Sequence, residues 1–199
     1  KKFKEGMDLM IKHDYDKAIP IFKKILEKNA EDIAAKRVLY SCEVYQQELT
    51  DAVSALTISE GLSIDFVRDA LGEYAPQEKQ EGHFKCWVAV YEFKHKAPHC
   101  NDKERMQLIK VIMDNYLKAD APFPIKSERN WHGQVETIIV DYHIRSASPD
   151  PNMFNDLAHE CEVNMTSSFG RFKRTDEFLN AYKCSMKTPF IHVTDIDTL

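Results

Sequence analysis

The sequence predicts an all-α protein, and three observations carry that expectation. Apolar residues recur almost everywhere at i, i+3, i+4 and i+7, the period of a helix face rather than of a strand. Proline, glycine and small polar residues cluster between these stretches, as at Gly72 to Pro76, Pro98, Pro122 with Pro124, and Pro149 with Pro151. The 199 residues are 43% hydrophobic and 30% charged, which is the balance of a folded domain and is enough chain for one substantial core or a domain with an added module.

From the N-terminus, residues 3–12 and 16–28 read as two amphipathic helices separated by Lys12 to Asp16. Asn29 to Asp32 form a turn with acidic N-capping character. The next helix, about 31–47, carries Ala34, Val38, Leu39, Cys42 and Tyr45. Gly6, Ala18, Phe22 and Ile25 stand where a tetratricopeptide repeat places its small and bulky packing residues. This segment resembles one tetratricopeptide unit plus the leading helix of a second, and one and a half repeats need a neighbour to lean on.

Ala52, Leu56 and Ile58 predict a short helix punctuated by Gly61, and Ser63 can cap one bearing Phe66, Val67, Ala70 and Leu71. Glu81 to Lys94 form the most informative stretch. Its Phe84, Trp87, Val88 and Tyr91 share a predicted core face. Asn101 and Glu104 form a capping pair for the next helix, striped by Ile109, Ile112, Met113, Tyr116 and Leu117. Pro122 and Pro124 force an extended connector. Trp131, Val135, Ile138 and Ile139 mark a further helix closed off by Pro149 and Pro151. Phe154, Leu157, Ala158, Cys161 and Met165 stripe another, and Phe169, Phe172, Phe178, Leu179 and Tyr182 the last, with a bend near Arg174 to Asp176. Residues 185–199 have no helical period and read as an extended tail.

Several function classes are disfavoured. A formal charge of −5 argues against general nucleic-acid binding. Lys103, Arg105 and Lys110 are the candidates for a local basic strip, but a solvated helix face accounts for them. No apolar run is long enough to span a membrane, no signal peptide is visible, and the missing initiator Met predicts a segment of something longer. The cysteines (Cys42, Cys86, Cys100, Cys161, Cys184) have no CxxC spacing, and three sit on apolar stripes, which fits a reducing cytosol. His95 and His99 beside Cys100 lack a third convergent ligand, so no metal site is expected. No cysteine–histidine nucleophile and no glycine-rich phosphate loop is present, and no catalytic residue or cofactor is predicted.

The Trp87 helix, then Tyr116 to Ile125 about thirty residues on, then the helix from Phe154 ending in Ser167-Ser168-Phe169-Gly170-Arg171-Phe172, together resemble a regulator of G-protein signalling (RGS) domain. The resemblance covers roughly residues 50–184. It implies an RGS-like two-lobed fold in which the middle helices, about 78–165, make an antiparallel four-helix bundle and residues 50–75 and 167–184 make a terminal lobe. The expected organisation is therefore a tetratricopeptide-like helical extension at 1–48, an RGS-like domain at 50–184 and a tail at 185–199.

The resemblance also implies a partner, the α subunit (Gα) of a heterotrimeric G protein, and a role as an accelerator of its GTP hydrolysis rather than as an enzyme. Peripheral recruitment to the plasma membrane would come through that partner. The implied Gα-binding set is Glu78, Glu81, His83, Lys126, Val163, Ser167, Ser168 and Arg171. Departures from the family pattern are concentrated here. Gly82 and His83 replace Glu-Asn, Cys86 replaces Phe before Trp87, Lys126 stands where the family has its contact asparagine, and Ser167 replaces Asp. Val163 stands near a usual leucine contact. Two other functions compete: an RGS-like scaffold that binds proteins without acceleration, and a helical-repeat adaptor in which residues 1–48 grip a peptide.

Overall fold

The computed structural model describes residues 1–186, and every regular element among them is helical. Of the tail expected at 185–199, residues 187–199 lie outside the described residues. The chain divides into two compact units, one of residues 1–67 with the segment from 176 onward, the other of residues 68–175.

The first unit holds α1 (Lys2–Ile11), α2 (Tyr15–Leu26), α3 (Ile33–Ala55), α4 (Ile58–Ser63), the first turn of α5 (Asp65–Tyr74), and α10 (Asp176–Ser185). Its core joins Met10, Tyr15, Ala18, Ile19, Phe22, Val38 and Cys42, with Phe3, Ile25 and Tyr45 packed at the margin. A Cβ on Gly6 would stand 2.6 Å from the Phe22 ring, so the close approach of α1 and α2 depends on the bare backbone there. Asp32 caps α3 by accepting from the Ala35 amide at 2.9 Å. The Lys183 ammonium of α10 meets Asp14 at 2.9 Å, beside the α1–α2 turn.

Four expectations fail in this unit. The helix expected at 31–47 runs unbroken to Ala55 and takes in Ala52, because nothing from 48 to 55 breaks a helix. Gly61 lies buried inside α4 instead of ending it, and Ser63 is the last residue of α4 rather than a cap on the next helix. Thr57 and Glu60 supply a capping box at the start of α4. Phe66 is 55% exposed, while Val67 and Leu71 carry the buried face of α5.

The second unit holds the rest of α5, α6 (Glu81–Lys96), a 3-10 turn (Ala97–His99), α7 (Asp102–Ile112) continued by a π-helical turn (Met113–Leu117), α8 (Trp131–Arg145) and α9 (Asn155–Phe172). Helices α6 and α9 run antiparallel. Glu78 meets Arg171, Trp87 meets Glu162 and Phe93 meets Phe154, so partners advance along one helix as they retreat along the other. Both tryptophans (Trp87 and Trp131) spend their indole N–H on α9, Trp87 on Glu162 at 2.9 Å and Trp131 on Glu160 at 2.8 Å.

The buried face of α6 is Cys86, Trp87, Val90 and Phe93, rotated from the predicted one. Phe84, Val88 and Tyr91 are half-buried. Phe84 is drawn off the central face toward Gly72, where a Cβ would stand 2.8 Å from its ring. Helix α8 ends at Arg145 with Ser146 left-handed (φ 52°), before either proline acts. Cys86 and Cys161 are fully buried, and the Cys161 thiol is pushed up in pKa by its hydrogen bond to Cys86 and by burial, as expected of inert core thiols.

Arg105 is the largest departure. It is not part of a basic strip: it is 9% exposed and donates to the carbonyls of Ala97, Cys100 and Pro149 and to Asp102 and Ser148. A single planar guanidinium thus ties the α6–α7 turn to the segment after α8. Asn101 and Glu104 form the predicted capping box directly before it.

Candidate functional site

The candidate residues all lie in the second unit, on three neighbouring pieces of backbone: the turn and first residues of α6, the connector 118–130, and the outer edge of α9. Each piece is fixed by local chemistry.

The turn before α6 is held by Glu78. Its carboxylate accepts from Arg171 Nε at 3.1 Å and from Arg171 Nη2, and from the Tyr74 hydroxyl at 2.8 Å, with Ser168 Oγ 3.5 Å away. Arg171 Nη2 also reaches Ser168 Oγ at 3.3 Å. The Arg171 guanidinium, and after it the Tyr74 hydroxyl, hold the Glu78 carboxyl at a pKa of about 2, well below its ordinary 4.5. The same bonds raise the pKa of Tyr74 and of Arg171. Ser168 is buried and Arg171 half exposed, so Arg171 has one side on its own turn and one side open.

The start of α6 is where the connector comes closest. A Cβ at Gly82 would stand 3.1 Å from the Pro124 carbonyl oxygen and 3.2 Å from that of Phe123. His83 Nε2 lies 3.3 Å from the Lys126 carbonyl oxygen. A carbonyl only accepts, so Nε2 carries the proton and donates. Glu81 pairs with Lys85 at 2.6 Å, and the Lys85 ammonium sits 3.5 Å from the centre of the Phe123 ring. From the other side the connector amides of Phe123 and Ile125 donate to the carbonyls of Asn115 and Tyr116, both at 3.1 Å. The helix ends at Leu117, so these last-turn carbonyls have no donor within it and are free to accept.

Between residues 126–129 and α9 lies an open groove of about 450 Å³, lined by Lys126, Arg129, Asp156, His159, Glu160, Val163 and Asn164 among others. Three of its charged side chains, Arg129, Asp156 and Glu160, have partners, whereas Lys126 and Glu128 make no ion pair or side-chain hydrogen bond among the described residues. Arg129 pairs with Asp156 at 3.2 Å, Glu160 accepts from the Trp131 indole, and Asn164 donates to the Glu160 carbonyl at 2.9 Å. Val163 is 58% exposed at the groove wall. Val163, Ser167 and Arg171 follow at intervals of four, one edge of α9 about 12 Å long. That edge joins the groove to the Glu78 cluster.

The structure therefore brings together Glu78, Ser168 and Arg171 in one hydrogen-bonded cluster, His83 and Lys126 in another, and Lys126 and Val163 in the groove. Ser167 is exposed between them, and Glu81 faces Lys85. Sequence reasoning missed Tyr74, whose spacing of four from Glu78 was a readable signal, and missed Arg129, His159 and Asn164. His159 and Asn164 become neighbours of Lys126 only when the connector folds back on α9. Donors, acceptors and one open apolar side chain on a firm frame can recognise a surface. No group of three or more His, Cys, Asp or Glu that could hold a metal occurs among the described residues.

A family model described as regulator of G protein signaling domain matches residues 62–181. The match takes in the whole second unit and every candidate position, and α1 to α3 lie outside it. No curated protein matches the chain.

Proposed function

Since the chain belongs to the regulator of G-protein signalling family, we propose that it binds the switch segments of a Gα subunit and accelerates GTP hydrolysis there. Catalysis on this reading stays with the partner. Gα carries its own arginine, its water-positioning glutamine and Mg²⁺. A protein that binds the transition-state conformation of the switches more tightly than the ground state lowers the barrier by that difference. The chain is then an accessory regulator, cytosolic and held at the membrane through Gα.

The observation that supports this reading is the continuity of the α9 edge, from Val163 through Ser167 to Arg171, with the connector at Lys126 and the α6 start at His83. Lys126, Val163, Ser167 and the open side of Arg171 are the proposed contacts. Glu78, Ser168 and the buried side of Arg171 hold the turn, and Glu81 and His83 flank the connector. Residues 1–48 are proposed to be a tetratricopeptide-like extension outside the partner surface.

The test is single-turnover GTP hydrolysis by a panel of Gα subunits with and without the chain, together with binding to each subunit loaded with GDP alone or with GDP and aluminium fluoride. Acceleration and preference for the aluminium fluoride form are expected. Absence of both across the panel overturns the proposal. A second reading, a scaffold that binds Gα without acceleration, is favoured by Gly82, His83 and Lys126 standing in place of the usual residues. Equal affinity for both nucleotide forms would select it.

A further inference from the structure

We infer that Gly82 and His83 act as one clamp on the connector, and that the clamp presents the Lys126 ammonium to a carboxylate on the bound partner, an assignment that rests on the Gα-binding reading above. Gly82 lets two successive carbonyls come within 3.1 and 3.2 Å of where a side chain would begin, so the connector lies flush against α6. His83 then donates to the next carbonyl but one, that of Lys126, at 3.3 Å. Any other residue at 82 would push the connector outward by a few tenths of an ångström or more and lengthen that bond. The two departures from the family pattern are therefore physically linked: the missing side chain at 82 makes the donor at 83 effective.

The backbone of Lys126 is held, while its side chain is not. Arg129, the neighbouring cation, is committed to Asp156, and Glu160 to the Trp131 indole. The exposed Lys126 lines the groove and its ammonium has no ion pair or side-chain hydrogen bond among the described residues, not even with Glu128, the exposed acid two residues on that lines the same groove. An ammonium donates and never accepts, so it selects an acceptor. A carboxylate satisfies it with a charge-assisted bond, whereas an amide or hydroxyl would leave the charge uncompensated. His83 is a positioning residue here. Lys126 is the specificity-determining one.

Two measurements on the full chain test this. Hydrogen exchange of the connector amides, followed over residues 118–127, should quicken in His83→Leu and Gly82→Ala and stay as in the parent in His83→Gln, which keeps a donor, and in Lys126→Ala, whose carbonyl remains. Binding to the Gα panel loaded with GDP and aluminium fluoride should weaken about 3- to 10-fold in His83→Leu and in Lys126→Ala, the cost of one hydrogen bond. It should weaken further in Lys126→Glu and be retained in Lys126→Arg. The double variant His83→Leu with Lys126→Ala should bind no more weakly than Lys126→Ala alone, since the clamp acts only through Lys126. Additive losses, or unchanged exchange in His83→Leu, overturn the inference while leaving the Gα reading intact. If no Gα binds the parent chain, that reading and the role of Lys126 fall together, and the exchange result alone decides the clamp.

Discussion

Glu78 and Arg171 lie 93 residues apart in sequence and hold one another across the end of α6 and α9, with Arg171 Nε 3.1 Å from each carboxylate oxygen of Glu78. The pair closes the turn that leads into α6. It also leaves one side of a guanidinium exposed on the edge of α9 where the partner surface is proposed.

That pair sets an acid limit. The Glu78 pKa is lowered from 4.5 to about 2 on folding, so the unfolded chain binds the extra proton first as pH falls. The contribution is complete above pH 4.5 and is lost on the way down to about pH 2. Glu78→Gln should melt below the parent at neutral pH, with the difference shrinking through that window. A difference independent of pH would contradict the assignment.

His13 predicts a second pH dependence, in the first unit. Burial, and then the nearby Lys183 ammonium, hold its pKa below the ordinary 6.5. The unfolded chain therefore takes up the proton first, and stability is full above pH 6.5 and falls as pH drops below it. His13 sits at φ 57°, a conformation asparagine tolerates, so His13→Asn should fold and lose less stability than the parent between neutral and mildly acid pH. Parallel pH profiles for the two would remove the effect.

Trp87 is 6% exposed, stacks on Tyr91 with ring centres 5.1 Å apart and donates to Glu162. Trp87→Ala should cost about 3–5 kcal/mol through the cavity it leaves. Trp87→Phe keeps most of the apolar volume and loses mainly the indole bond, about 1 kcal/mol. Denaturant melts of both decide it, and equal costs would show that packing is not the main term.

Arg105 should tolerate no replacement. Arg105→Lys keeps the charge but cannot fork to three carbonyls at once, leaving buried acceptors unpaired at about 1–3 kcal/mol in total. Arg105→Met should cost at least as much. Gα binding should be unaffected at temperatures where either variant is folded, because Arg105 ties the α6–α7 turn to the segment after α8, away from the proposed contacts.

Much of the helix order was legible in the sequence because it depends on local signals. The Asn101–Glu104 capping box, the Asp32 cap and the small residues Gly6 and Ala18 are each decided within a few positions or by one helix hairpin. Some errors were local, as at the end of α3 and at Gly61 and Ser63, and the others fell where a distant neighbour decides. The buried face of α6 turned because Gly72 takes up Phe84, and Arg105 looked like a surface cation until its carbonyl acceptors folded around it. Of the candidate site, the identities of Lys126, Ser168 and Arg171 were readable from the resemblance. The clamp of Gly82 and His83 on the connector was not, since the contact with Lys126 spans 43 residues and leaves no periodic trace.

By itself the amino-acid sequence determined that the chain is helical, roughly where its helices start and stop, and which family its middle resembles, because backbone propensity, capping and apolar period act over short range. The tertiary structure alone decided which face each helix buries, that Glu78 neutralises the inner side of Arg171, and that Lys126 is held by its backbone and open at its ammonium. Those outcomes depend on which side chains meet across long sequence separations. Hydrogen bonds and charges act only over a few ångströms once the chain has brought them there.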